Sequence, residues 1–395
     1  MPTIGSVDTA KDTAKVGPHD CSLYVHIPFC TSKCPYCHFY VIPFEEHREQ
    51  AFLLGIEQEW QSRRALLAGK RIVSIYLGGG TPSLLSASSV GRILDLFLQD
   101  RGLSIDSGCE ITLEANPESV SLEKMRALSL LGVNRLSIGV QSLDDDQLTL
   151  LDRRHLAARA IKAIEESQAA GIDNLSIDLM YDIPGQSLDS WKRTITRAMA
   201  LPVSHLSLYN LTFEPQTLFF KNRKQLRPLL PSPEDSFEML QYAITYLEAA
   251  GLQRYEISAF ARKERYSRHN TGYWTGRPFL GLGPSAFSYF QGKRFKNISS
   301  FTHWASSLSE GKSPVDFEER LEPEPSFREL LAIQLRLLEG VDWTAFTTRH
   351  GPAPEPTPAI LDQLCRDGLL ARQAGSLRLT EKGRLFYDSV AEAII

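Results

Sequence analysis

From residue 21 onward, short apolar or β-branched runs alternate with segments whose apolar positions recur at helical spacing. The runs are LYVHI (23–27), IVSIYL (72–77), EITLEA (110–115), RLSIGV (135–140), LSIDLM (175–180) and HLSLYN (205–210). Between them lie amphipathic stretches such as SASSVGRILDLFL, SLEKMRALSLLG, HLAARAIKAIEESQAAG and SLDSWKRTITRAMA, several closed by a glycine that suits a helix C-cap. Repeated strand–helix units joined by right-handed crossovers predict a parallel sheet of about six strands.

Chemically distinctive residues follow each run: a cysteine cluster, GGGTP, Glu114 with Asn116, Gln141, Asp178 with Asp182, and Tyr209 with Asn210. Barrel enzymes gather their polar groups where strands end, so six such ends predict an α/β fold built on a partial (βα)6 barrel with one site at its mouth. An open doubly wound sheet is the alternative, and it leaves the site unchanged. The Pro-rich, charged stretch KNRKQLRPLLPSPED (221–235) ends the pattern. The expected organisation is a flexible polar tail (1–20), the barrel (21–235), a connecting region (236–322) and a C-terminal domain (323–395). The connecting region opens with a helix over 236–250 and continues through an aromatic, Gly-rich, irregular stretch (255–290). The helix–helix–hairpin–helix order after 323 resembles a winged-helix-like α+β unit.

Composition narrows the function. Hydrophobic residues at 43% and charged residues at 23% suit a globular protein, and no apolar run approaches the roughly 20 residues that cross a bilayer. Lys+Arg number 43 against 47 Asp+Glu, a net charge of −4 that gives no general attraction to polyanions. Arg366, Arg372, Arg378, Lys382 and Arg384 lie along the winged-helix-like tail, but Asp367 and Glu381 dilute them, so no nucleic-acid partner is expected. Residues 1–20 have neither an apolar signal core nor the arginines of a transit peptide, and the cysteines are too few for a disulfide scaffold. A reducing, cytoplasmic setting is expected.

Three of the six cysteines stand in one loop, as Cys30-x3-Cys34-x2-Cys37, with Pro28 and Pro35 stiffening it. Three soft ligands suit zinc or iron–sulfur. Zinc would want a fourth protein ligand, and His38, adjacent to Cys37, is badly placed to close a tetrahedron. A 4Fe-4S cluster held by three thiolates keeps one iron open for a small molecule. GGGTP (78–82) lets a ligand approach the backbone closely. Taken singly, that turn and each of Glu114, Gln141, Arg153 and Asp178 read as ordinary rim residues.

Together these features resemble the radical S-adenosylmethionine (SAM) superfamily. YVHIPFCTSKCPYCHF, YLGGGTPSLL, LEANPES, RLSIGVQSLDDDQLTLLDRRH, IDLMYDIPGQ and the C-terminal unit are similar to oxygen-independent coproporphyrinogen III oxidase and its relatives, over residues 22 to about 390. The resemblance implies a 4Fe-4S cluster on Cys30, Cys34 and Cys37, with S-adenosyl-L-methionine on its open iron. It also implies SAM contacts from Tyr24, Tyr36, Gly79, Gly80, Thr81, Glu114, Gln141, Arg153 and Asp178. The oxidase carries a fourth cysteine two places after the third; this chain has Phe39 there, as does the HemW-type haem chaperone branch. His269-Asn270-Thr271-Gly272-Tyr273-Trp274 matches that branch's HNxxYW motif.

The implied function is therefore a haem chaperone rather than a coproporphyrinogen III dehydrogenase, handing haem to respiratory or storage proteins. The oxidase and another radical SAM tetrapyrrole enzyme are the alternatives. Transient membrane-surface contact and a homodimer stay open. Within the motif, His269 would ligate the iron, Asn270 would lie beside it, and Tyr273 and Trp274 would pack on the porphyrin, with Arg265, Arg268 and Arg277 near its propionates. His26, in the first strand, reads as structural.

Overall fold

The computed structural model describes residues 17–395, so most of the expected polar tail (1–16) lies outside the described residues. Asp20 is already structured: its carboxylate accepts from the Gly17 amide at 2.9 Å and opens the first strand.

Six parallel strands run where the apolar runs predict them: β1 (Asp20–Ile27), β2 (Arg71–Gly79), β3 (Ser104–Ala115), β4 (Arg135–Gln141), β5 (Asn174–Tyr181) and β6 (His205–Asn210). They pair in chain order, the mark of successive right-handed βα units. The longer helices between them are α1 (Glu46–Arg63), α2 (Ala87–Leu98), α3 (Leu122–Leu130), α4 (Ala157–Ala169) and α5 (Leu188–Met199). Serines start three of these helices. Ser86, Ser121 and Ser187 each accept a hydrogen bond from the backbone amide three residues on, worth about 1 kcal/mol apiece.

The region 236–322 is more regular than its composition suggests. After α6 (Pro233–Ala249) come β7 (Gln253–Arg254), β8 (Ala259–Ala261), the helix α7 (Arg268–Trp274), β9 (Phe279–Leu282), β10 (Phe287–Phe290) and β11 (Lys293–Asn297). The helix α8 (Phe301–Ser309) and β12 (Val315–Glu319) complete it. The whole sheet has the order β12-β11-β10-β9-β1-β2-β3-β4-β5-β6-β8-β7. β9 pairs in parallel with β1, Ser22 opposite Phe279 and Val25 opposite Leu282, so a seventh parallel strand joins the six expected. Its short apolar core, FLGL, is hidden from a sequence reading by the flanking glycines and aromatics.

A buried ionic group fastens this addition to the barrel. Glu59 of α1 is fully buried; its carboxylate accepts from the Gly283 amide (2.8 Å), Asn297 Nδ2 (2.7 Å) and Trp304 Nε1 (3.0 Å), and pairs with Arg63 at 2.8 Å. Arg63 in turn donates to Gly281 O and Asn297 Oδ1. Burial raises the Glu59 pKa, opposed by Arg63 and these three donors.

The C-terminal residues have their own core, in which α9 (Pro323–Gln334) contributes Phe327 and Leu331 and later helices contribute Leu361, Val390 and Ile394. A three-stranded sheet completes it, β13 (Val341–Asp342), β14 (Leu370–Gln373) and β15 (Ser376–Leu379) in the order β13-β15-β14. The β14–β15 hairpin is the one the sequence predicts; β13 and a helix at Trp343–His350 are additional. Among the described residues no helix is long and apolar enough to cross a membrane.

Candidate functional site at the mouth of the barrel

A cavity of about 390 Å³ lies at the C-terminal ends of the strands. Cys30, Cys34, Tyr36, Cys37, Gly79, Gly80, Thr81, Glu114, Gln141, Arg153 and Asp178 all line it. Tyr24 does not: it sits deeper, its hydroxyl bonded to His26 Nδ1 at 2.9 Å and its ring 6.2 Å from that of Tyr76. The structure also adds residues to the wall. Ser137 and Gly139 share the face of Gln141, as the two-residue period of β4 requires, and that alternation is the signal by which the sequence could have shown them.

The three cysteines border the cavity on the loop that leaves β1, and all are free thiols. Cys30 Sγ lies 3.4 Å from Thr81 Oγ1, and Arg153 Nη1 donates to Cys34 Sγ at 3.6 Å. Burial pushes the Cys30 thiol up to about 11 and raises that of Cys37, so binding a metal group as thiolates would release protons. Among the described residues no three His, Cys, Asp or Glu side chains close on one point as ligands of a single metal ion.

The glycine strand end is required by close packing. A Cβ at Gly79, whose φ is +112°, would stand 2.6 Å from His26 Nδ1, and one at Gly80 would stand 2.6 Å from the carbonyl oxygen of Phe29. Beside it, Glu114 accepts from Tyr76 Oη (2.7 Å) and from the Gly79 amide (2.9 Å). Burial raises the Glu114 pKa against those two donors. Burial, and then the Glu114 charge, push Asp178 up to about 7, while Ser207 and Ser137 hydroxyls partly hold it down. Gln141 keeps a left-handed φ of 66°, strained for a residue with a Cβ and typical of a ligand-facing strand end. Arg153 spans the opposite wall, donating to Asn116 Oδ1 (2.7 Å) and Gly139 O (2.8 Å), while its buried Nε has no partner.

Three comparisons with known proteins bear on this site. The Radical SAM superfamily model matches residues 24–198, and the HemN C-terminal domain model matches residues 321–386. The heme chaperone HemW of Bacillus subtilis (strain 168) is 32% identical over 375 residues, covering 95% of this chain and 99% of that protein. The chain belongs to the HemW family of radical SAM proteins. A zebrafish (Danio rerio) relative, the mitochondrial radical S-adenosyl methionine domain-containing protein 1, is 36% identical over 293 residues, 73% of this chain and 65% of that protein. The solved structure of coproporphyrinogen III oxidase (HemN) from Escherichia coli superposes with a TM-score of 0.84 at 25% identity, over 97% of this chain and 92% of that one.

The HNTGYW segment attributed to the HemW family is not among the residues that line the cavity. It forms α7, packed on the same inner face of the strands as Tyr76 and Glu114 but deeper than the cavity, and His269 is 1% exposed. His269 Nδ1 lies 3.0 Å from Ser74 Oγ and Nε2 lies 2.8 Å from Tyr273 Oη. Because Ser74 donates its proton to Ser22, Nδ1 carries the imidazole proton and Nε2 accepts from tyrosine. Both nitrogens are in use, and burial holds the imidazole well below its ordinary pKa. Tyr273 packs edge-on against Phe279, and the Trp274 indole lies under the Arg336 guanidinium at 4.3 Å. Asn270 lies in the first turn of α7, where its backbone N–H donates to Ser267 Oγ. Arg277 is equally committed, donating to Ser22 Oγ at 3.0 Å and to the carbonyl of Arg268. His26, bonded to Tyr24 Oη and to Tyr40 O, occupies the structural place read for it.

Proposed function

We propose that this protein holds a 4Fe-4S cluster on Cys30, Cys34 and Cys37, binds SAM beside it, and carries haem to haem-requiring respiratory or storage proteins. The observation that carries the reading is the joining of that cysteine loop, the glycine strand end and two half-buried carboxylates around one cavity in a HemW-family fold. The residues fit both groups. Three free thiols on one loop suit a cluster with an open iron. Glu114 and Asp178 face the cavity opposite a single guanidinium, that of Arg153, so a ligand bearing sulfonium and ammonium charges satisfies a local excess of carboxylate. When bound, the cluster supplies one-electron chemistry to SAM.

In this reading Arg153, with its unpartnered Nε, receives an acceptor of the ligand, and Gly79, Gly80 and Thr81 bring the backbone against its methionyl end. Glu114, oriented by Tyr76, takes the ammonium; Gln141 and Asp178 serve the ribose side, and Tyr36 closes the cavity wall. Tyr24 acts only from behind, through the ring cluster with Tyr76.

The enzymatic alternative, oxidative decarboxylation of coproporphyrinogen III, is opposed by Phe39, which is 53% exposed at the rim where the resemblance puts a cysteine in the oxidase. Anaerobic incubation of the cluster-loaded protein with SAM and either haem or coproporphyrinogen III separates the two. Retained haem and no decarboxylated product are expected; steady turnover of coproporphyrinogen III would overturn the chaperone reading. In the same preparation, Ala at Cys30, Cys34 or Cys37 should abolish the cluster's iron and sulfide. Cys109→Ala, in a buried part of β3, should retain them.

The carboxylate pair makes a pH prediction. The folded pKa of Asp178, about 7, stands above its ordinary value of 3.8, so the folded apo-protein holds a proton that the unfolded chain gives up. On this account apo stability falls as pH rises from about 4 to about 7, and it stays low above that. A cationic ligand favours the ionised form, so SAM affinity should rise over the same interval. Calorimetric titration of SAM from pH 5.5 to 8 checks this; Asp178→Asn should flatten the profile, and an equal slope in that variant would refute the assignment.

A further inference from the structure

We infer that His38 is the axial nitrogen ligand of the haem iron, and that the porphyrin lies over the mouth of the barrel cavity against Phe39. The inference rests on the haem-carrying reading above and gives that cargo a site. The chain has nine histidines. Four of them, His26, His155, His205 and His269, are buried with both ring nitrogens hydrogen-bonded: to Tyr24 and Tyr40 O, to Glu118 and Val140 O, to Ser176 and Tyr255, and to Ser74 and Tyr273 respectively. An imidazole so engaged has no lone pair to offer. Of the other five, only His38 lines the cavity among the described residues. It is exposed, and no hydrogen bond holds either nitrogen.

The surroundings suit a flat apolar dianion. The Phe39 ring lies 4.5 Å from the His38 ring, tilted by 33°, so coordination at His38 sets a porphyrin beside an exposed aromatic face. Tyr209, 47% exposed on the cavity wall, offers a second such face. Cations stand along the same loop: Lys33 lines the cavity and donates to the Phe39 carbonyl at 2.9 Å, and Arg154 is tied to Ser32 at 3.1 Å. Either can meet a propionate. Glu214, on the far wall, is the one opposing carboxylate near this rim that the cavity presents besides Glu114 and Asp178. The bond formed is a dative Fe–N bond, so no electron or proton transfer is needed. A site on the cysteine loop also places cargo and cofactor on one segment, by which the occupancy of either reports on the other.

The test is a titration of ferric haem into full-length, anaerobically cluster- and SAM-loaded protein, read by the Soret band and by electron paramagnetic resonance of the haem iron. Wild type should show a nitrogen-ligated spectrum. His38→Ala should lose that signature and bind at least about tenfold more weakly, with SAM binding unchanged, and Phe39→Ala should weaken binding while keeping the signature. If His38→Ala keeps the wild-type spectrum and affinity, the inference is wrong. If wild type itself binds no haem, the chaperone reading fails instead. Should His38→Ala lose cluster as well, His38→Gly with added imidazole decides: return of the nitrogen-ligated band supports the site, and no return overturns it.

Discussion

Glu59→Ala is expected to destabilise the protein by about 3–5 kcal/mol, the cost of leaving one member of a buried ion pair without its partner. The carboxylate it removes is fully buried and meets Gly283, Asn297, Trp304 and Arg63 at once, so three donors and a guanidinium lose their acceptor together. Arg63 is also buried, which already lowers its pKa, and water cannot replace the lost charge without opening the packing between α1 and β9. Urea unfolding of the apo-protein measures the loss. Glu59→Gln should cost less, because it keeps the shape and one acceptor oxygen, and a paired Glu59→Met, Arg63→Met variant should be less damaged than Glu59→Ala alone. A loss below about 1 kcal/mol in Glu59→Ala would show the pair to be idle.

His269→Ala is expected to cost about 2–4 kcal/mol and to weaken SAM, while leaving the spectrum of bound haem as it was. The imidazole is packed 4.8 Å from the Tyr76 ring, and Tyr76 donates the 2.7 Å hydrogen bond that orients Glu114. Removing it leaves a void beside that tyrosine and a buried Tyr273 hydroxyl with no acceptor. The variant therefore acts on the cavity through Tyr76. His269→Gln, able to span part of the Ser74–Tyr273 gap, should recover part of both losses. Thermal unfolding together with SAM calorimetry reads the effect. An unchanged melting point with a lost Soret band would restore His269 as the iron ligand.

The sequence carried the barrel because its strands are nearly continuous apolar runs; HLSLYN maps onto His205–Asn210 residue for residue. Strand ends carried the cavity for the same reason, since a residue following such a run has to emerge at the mouth. Burial is what the sequence hid. HNTGYW offers an imidazole, a phenol and an indole, groups equally suited to a ligand and to a polar core, and only tertiary packing reveals that Ser74, Tyr273 and Arg336 already occupy them. His38 is hidden for the converse reason: beside Cys37 it is badly placed to complete a zinc tetrahedron, and nothing in its sequence neighbours tells that its ring stays free. Tyr24 follows the β1 alternation inward, so its distance from the cavity is fixed by the strand's own register.

The pairing of β9 with β1 joins residues 22–25 to residues 279–282. A chain emerging from the ribosome has made every cysteine of the loop by residue 37, yet the neighbour that flanks β1 on one side arrives only some 250 residues later. Contacts so distant in sequence close late. Until then the loop leaves an edge strand, and the Glu59–Arg63 pair has neither Gly281 nor Asn297 to meet. On the cluster-binding reading proposed above, loading of the loop waits for completion of the polypeptide: a fragment ending near residue 250 should take up no iron–sulfur under conditions that load the whole chain.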